Sequence, residues 1–152
     1  MDRAPTLDAL STYCTFTADE FVFAVDVSAV QEVIRYQKMA RVPLAPPIVS
    51  GLINLRGQIV TAIDLRRRLG LPARKEGQLP INVVIKRDEG PISLLVDEID
   101  DVVAIDEGAI EAPPRTLRSR TGNDVVAGFH HSAHRLLLIL ALDKVLDIRG
   151  AQ

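Results

Sequence analysis

The chain has 152 residues, 47% of them hydrophobic, enough for one domain of ordinary size with a real core rather than a disordered polymer. Eighteen basic residues against 20 acidic ones leave a net charge of −2, and aromatics make up 4%, so nucleic acid is disfavoured as a main partner. Fourteen of the 18 basic residues are arginines, which suit fixed bidentate contacts. Cys14 is the single cysteine, which excludes an internal disulfide and fits a reducing compartment. No charged-then-apolar leader opens the chain. The longest unbroken apolar run, Leu136 to Leu142, is far shorter than the ~20 residues a membrane-spanning helix needs. A soluble, cytoplasmic protein is the expectation.

Met1 to Ala9 read as a flexible lead-in, and a single domain is expected over residues 10–150. Short apolar or alternating stretches then follow one another, cut by turn signals about every ten residues and rich in valine and isoleucine. They predict strands at Thr12 to Thr17, Phe21 to Val25, Gln31 to Arg35, Gly51 to Leu55 and Gln58 to Ile63. In the second half strands are predicted at Asn82 to Lys86, Ile92 to Val96, Asp101 to Ile105, Val125 to His130 and Arg135 to Leu140. Helix is thin: a turn near Val27 to Val30, another at Leu65 to Leu69, and a last piece at Leu142 to Ile148, where Leu142, Val145 and Leu146 fall on one helical face. Many short strands with few helices point to small barrels or a sandwich.

A weak internal repeat runs through these strands. "FAVDVSAV" (Phe23 to Val30) resembles "LLVDEIDDV" (Leu94 to Val102), with Asp26 matching Asp97. "VSGLINLRGQIVTAIDL" resembles "VAGFHHSAHRLLLILAL", and seven residues separate both Gly51 from Gln58 and Gly128 from Arg135. Two similar β subdomains related by a rough two-fold would follow. Between Gly51 to Leu55 and Gln58 to Ile63, Arg56-Gly57 forms a tight turn in which Gly57 can take a positive φ. That turn lifts the Arg56 guanidinium out of an apolar run where an unpaired charge would be very costly.

At these residues the chain resembles a known family. "FAVDVSAVQEVIRY", then "GLINLRGQIVTAIDLRRRLG", then "ISLLVDEIDDVV", in that order from about Thr12 to Leu146, is similar to the CheW coupling proteins of bacterial chemotaxis. The resemblance implies a mainly β fold of two intertwined five-stranded SH3-like barrels around a shared hydrophobic core, with short helices including a C-terminal one. It implies a non-catalytic adaptor, without cofactor or metal, joining the cytoplasmic hairpin tips of chemoreceptors (methyl-accepting chemotaxis proteins) to the regulatory domain of a CheA-type histidine kinase. Such a protein would meet the membrane only through the receptor array, and head-to-tail ring assembly with the kinase is compatible with it. An adaptor for another chemosensory array, controlling pili or development, is the alternative. Thr61 departs from the family's usual proline.

On the family's pattern the receptor-binding candidates are Val30, Glu32, Gly51, Arg56, Ile99 and Val102, with Gly51 allowing close backbone approach and Glu32 able to pair with Arg56. Kinase-binding candidates are Met39, Val42 and Leu44, as exposed apolar residues, together with Arg56. Three other features carry bland readings beside functional ones. His130, His131 and His134 sit at an expected hairpin tip and lack the HExxH spacing, so a solvated turn is set against a zinc site in a small metal-dependent hydrolase. The six acids between Asp97 and Glu107 read as a polar face or as a contact for an arginine-bearing partner. Arg66, Arg67 and Arg68 read as a solvated helical face or as a contact for an acidic partner. Cys14 alternates with Phe16 and is expected in the core.

Overall fold

The structure, a computed structural model, describes residues 10–113, 125–132 and 135–148. The lead-in 1–9, most of the loop "PPRTLRSRTGND" and His134 therefore lie outside the described residues. The alternating stretches form ten strands: β1 (Leu10–Ala18), β2 (Phe21–Asp26), β3 (Val30–Ile34), β4 (Val49–Leu55), β5 (Gln58–Asp64), β6 (Ile81–Ile85), β7 (Ile92–Val96), β8 (Glu98–Asp106), β9 (Val126–Ser132) and β10 (Arg135–Leu140). Among the described residues, helical material amounts to 3-10 turns at Val27–Ala29 and Glu107–Ala109, α1 (Leu65–Arg68) and α2 (Leu142–Val145).

The strands build two five-stranded sheets, in the orders β8-β1-β2-β10-β9 and β3-β6-β7-β5-β4. Each sheet takes the leading hairpin of one half of the chain, β1–β2 or β6–β7, and the three remaining strands of the other half. The hairpin joins its neighbour in parallel, β2 to β10 and β7 to β5, while every other pairing is antiparallel. The halves are thus intertwined, and the repeat in the sequence is a repeat in space.

Each sheet is also closed at its edges. Beyond β3, Ala40 exchanges two backbone hydrogen bonds with Leu52 of β4, at 2.9 and 2.8 Å. Beyond β8, Glu111 does the same with Phe129 of β9, again at 2.9 and 2.8 Å. Outer strands so joined have fewer unpaired edge groups, which is what a small barrel achieves. The residue before each bridge is a glycine for a steric reason. A Cβ on Gly51 would lie 2.6 Å from the Ala40 carbonyl oxygen, and one on Gly128 would lie 2.6 Å from Ile110 Cγ2 and 2.7 Å from the Glu111 carbonyl oxygen. The seven-residue spacing from glycine to the partner strand marks this closure in both halves.

The main core draws on both sheets: Phe16, Phe23, Ile63, Leu65, Val83, Leu94, Leu138 and Val145 pack in one buried cluster. Smaller clusters, Tyr13, Ala24, Ile105, Leu137 and Ile139 in one sheet and Ile53, Leu55, Val60 and Val84 in the other, fill the opposite faces. Neighbouring residues of β10 fall in different clusters (Leu137 and Ile139 in one, Leu138 and Leu140 in the other), so both faces of this strand are buried. That double burial accounts for the apolar run from Leu137 to Leu140; among the described residues no helix is long and apolar enough to cross a bilayer. Cys14 is buried, and burial pushes its thiol pKa up, as suits a core residue. Thr61 stands in β5 opposite Leu52 of β4 and Ile92 of β7, so the strand is paired on both sides where a proline would withhold a donor.

Two expectations about charge fail. The arginine run after β5 is not a solvated face: Arg66 is buried against Asp97, Arg68 donates to the carbonyls of Lys144 and Val145 in the last turn of α2, and Arg67, the most exposed of the three, still donates to Pro47 O. Asp97 is correspondingly not part of a polar face but 7% exposed. The last helix is also shorter than the expected Leu142 to Ile148, ending at Val145.

Candidate functional site

The geometry centres on the β4–β5 hairpin. Leu55 pairs with Gln58, leaving Arg56-Gly57 as a two-residue loop with φ of 51° and 86°. Positive φ at both positions is the hand that matches strand twist, and the Gly57 N–H donates to Asn54 Oδ1 at 2.8 Å. Gly57 accepts this conformation freely, whereas for Arg56 it costs on the order of 1 kcal/mol.

From the turn the Arg56 guanidinium reaches to β3, donating from Nη1 to Glu32 Oε2 at 3.0 Å and from Nη2 to Glu32 Oε1 at 2.7 Å. The Arg56 side chain is 77% exposed and that of Glu32 17%, so the carboxylate is nested and the guanidinium stands over it. A bidentate fork fixes the orientation of both groups. It adds little stability, because an exposed pair contributes ~0–1 kcal/mol. The result is a solvent-displayed cation held in one orientation on a backbone of positive φ.

The other candidates divide. Val30 opens β3 half-buried and packs on the main core. Gly51 is buried, and the close backbone approach it permits here is that of the chain's own Ala40. Ile99 and Val102 are exposed, but on β8 of the other sheet, and among the described residues no hydrogen bond or ion pair links them to the Glu32–Arg56 pair. Val42 is exposed and Leu44 fully so, whereas Met39 is half-buried against Ile53, Leu55, Val60 and Val84, so it is not a free apolar residue. Leu44 takes φ of 66°, a conformation that a bulky side chain rarely adopts, with its side chain wholly in solvent.

Exposed Val33 and Tyr36 on and after β3, and Ile59 beside the hairpin, were not among the sequence candidates. Val33 is an apolar residue on the outward face of β3, and Ile59 is an apolar residue exposed near the start of β5, and an apolar residue at an outward position was the available signal.

His130 and His131 do not lie at a hairpin tip. His130 and His131 lie inside β9, opposite Leu137 and Leu136, so as neighbours on a strand they face opposite ways, and His131 packs edge-on to Phe129 at 5.5 Å. Among the described residues no group of three or more His, Cys, Asp or Glu is placed to hold a metal. A cleft of about 880 Å³ lies elsewhere, lined by Ala29, Ile85, Lys86, Leu142, Asp143 and Leu146 among others, and none of the candidate residues borders it.

Comparison with known proteins agrees with this architecture. Residues 12–149 match the model of the CheW-like domain. Chemotaxis protein CheW of Bacillus subtilis (strain 168) is 34% identical over 131 residues, covering 86% of this chain and 83% of the relative. Chemotaxis protein CheW of Thermotoga maritima is 28% identical over 142 residues, covering 92% and 91%. The crystal structure of scaffolding protein TtCheW from Thermoanaerobacter tengcongensis superposes with a TM-score of 0.82 at 26% identity, over 99% of this chain and 94% of that one.

Proposed function

The chain belongs to the CheW-like domain family, and on that footing we propose that it is a coupling adaptor of chemotaxis signalling that holds a receptor's cytoplasmic hairpin tip and the regulatory domain of a CheA-type histidine kinase in fixed relative positions. The work is done by shape and displayed side chains, with no bond-making step. The observation that carries this reading is the Glu32–Arg56 fork: a guanidinium held on a strained turn, adding little to folding yet aimed outward. On binding, Arg56 exchanges or extends that bond toward a carboxylate or carbonyl of the partner. The receptor surface comprises Val30, Glu32, Arg56, Ile99 and Val102. The kinase surface comprises Val42 and Leu44 with Arg56 at its border, where the strained and solvated Leu44 supplies an apolar anchor.

Arg56→Glu and Leu44→Ser separate the two contacts. In pull-down with a receptor cytoplasmic fragment and a CheA-type kinase, Arg56→Glu is expected to lose receptor capture at least tenfold, and Leu44→Ser to lose kinase capture, with melting temperatures within a few degrees of wild type. Unchanged capture with a lowered melting temperature would make both residues structural and sink the assignment.

A further inference from the structure

The N-terminal part of β8 has an anchoring problem. Glu98, Ile99, Asp100, Asp101 and Val102 are all exposed, so no buried apolar side chain fixes this stretch; the first buried one is Ile105. Its ladder to β1 is irregular, with a register shift between Cys14 and Phe16. A strand held so lightly would be expected to fray. Its exposed face nevertheless has to be definite if it is to bind anything.

Polar anchors take the place of burial. Asp97 is the one residue between β7 in one barrel and β8 in the other. Arg66 Nε donates to Asp97 Oδ1 at 3.0 Å and Nη2 to Oδ2 at 2.7 Å, while the backbone N–H of Asp19, in the β1–β2 turn, donates to Oδ2 at 2.7 Å. Arg66 Nη1 donates to Pro72 O at 2.9 Å. Arg74 adds a second cation: its Nε lies 2.9 Å from Asp97 Oδ1 with the N–H aimed off that line, and its other nitrogens donate to Asp64 Oδ1 at 3.0 Å and Leu95 O at 3.1 Å. One carboxylate therefore ties together α1, the connection after it, the end of β7 and the turn of the opposite sheet. Further along β8, the Thr15 hydroxyl accepts from the Asp101 N–H at 2.9 Å, and Arg135 pairs with Asp100 at 2.8 Å.

We propose that the Arg66–Asp97–Arg74 cluster is a positioning device that holds the start of β8 in register so that Ile99 and Val102 present a preformed face to the receptor tip. The proposal rests on the reading of β8 as part of the receptor surface. None of the three clamp residues touches the partner; they act through the strand that follows. Pre-organisation of this kind raises affinity by removing the ordering cost from the binding step.

The experiment uses the full chain with Asp97→Asn and Arg66→Lys, the second keeping the charge while losing the fork. Amide exchange in the unbound protein is followed by mass spectrometry over residues 98–102, with β3 as the internal reference, and affinity is titrated for a receptor cytoplasmic fragment and for the kinase regulatory domain. Both variants are expected to exchange at least tenfold faster in 98–102 with β3 unchanged, and to bind the receptor fragment several-fold more weakly with kinase affinity retained. Wild-type exchange at 98–102, or faster exchange with receptor affinity intact, would overturn the proposal; if Asp97→Asn does not fold, Arg66→Lys decides it alone. Val102→Glu in the otherwise wild-type chain tests the underlying reading. Undiminished receptor binding by that variant would remove β8 from the receptor surface, whatever the exchange data say of the clamp.

Discussion

The chain passes from one barrel to the other twice, at Asp26 and at Asp97, and the two crossings are built from matching sequence but fastened differently. At the first, Asp26 Oδ1 accepts from the N–H and the hydroxyl of Ser28 at 2.9 and 2.8 Å, a local cap on a 3-10 turn at the surface. At the second, Asp97 sits in a buried cluster with two arginines. The difference traces to the helix that follows each closing hairpin. Repeat spacing sets Arg66 of α1 opposite Asp143 of α2, so the second helix brings an acid where the first brings a guanidinium. Where α2 meets the first crossing the fold leaves the cleft of about 880 Å³, with Ala29 and Asp143 in its lining. One architecture thus carries a charge-locked junction at one end and an open one at the other.

Breaking the locked junction has the largest expected effect. Asp97→Ala leaves the buried Arg66 guanidinium without the carboxylate it donates to, while Arg74 keeps Asp64, and removing one partner of a buried pair costs about 3–5 kcal/mol, read as a drop in urea midpoint. The same group gives the protein an acid dependence. Burial pushes the Asp97 pKa up, but the hydrogen bonds from Arg66 and the Asp19 N–H, with the charges of Arg66 and Arg74, more than reverse this and leave it below the usual carboxylate value. With the folded pKa beneath an unfolded value of about 3.9, this contribution is present above that pH and is lost as pH falls through the folded pKa. Urea titrations between pH 5 and 2 should show a shallower acid loss in Asp97→Asn than in wild type; identical slopes would mean that the carboxylate is not held by its arginines.

The closures, by contrast, should respond alike in the two halves. Gly51→Ala and Gly128→Ala each drive a Cβ against a backbone carbonyl oxygen, at 2.6 and 2.7 Å, and each should cost about 1–3 kcal/mol as an overpacking strain. A large cost at one glycine and none at the other would show that the halves close by different means.

How much of this could be read from the residues follows from how local each cause is. Strand alternation, the Arg-Gly turn and the glycine spacing are short-range signals, so the strands, the hairpin and the repeat were legible, as was the pairing of Glu32 with Arg56 once the family pattern was seen. The exchange of strands between sheets depends on hydrogen bonds between distant segments and leaves no local trace. Arg66 was misread for the same reason: its carboxylate lies 31 positions away, and an Arg-Arg-Arg run looks solvated unless that partner is known. The contact that Gly51 makes with Ala40 was not legible either, because a glycine announces a close approach without saying with what. The conformation of Leu44 runs against its own propensity, and no reading of leucine in "VPLAPP" would find it.

At the open junction the expected losses are small. Asp26→Ala removes two hydrogen bonds at the surface, in a turn with no buried residue, and should cost about 1 kcal/mol, the ordinary value of a cap. Smaller still is Arg56→Ala, at ~0–1 kcal/mol, since the guanidinium it deletes is mostly in water. The order Asp97, then the glycines, then Asp26, then Arg56 can be measured in one set of urea melts. If Asp26→Ala equalled Asp97→Ala, the two crossings would be fastened alike and the asymmetry drawn from Arg66 and Asp143 would fall. If Arg56→Ala ranked near the top, the fork to Glu32 would be part of what holds the barrel together, and its outward display would lose its claim to be there for a partner.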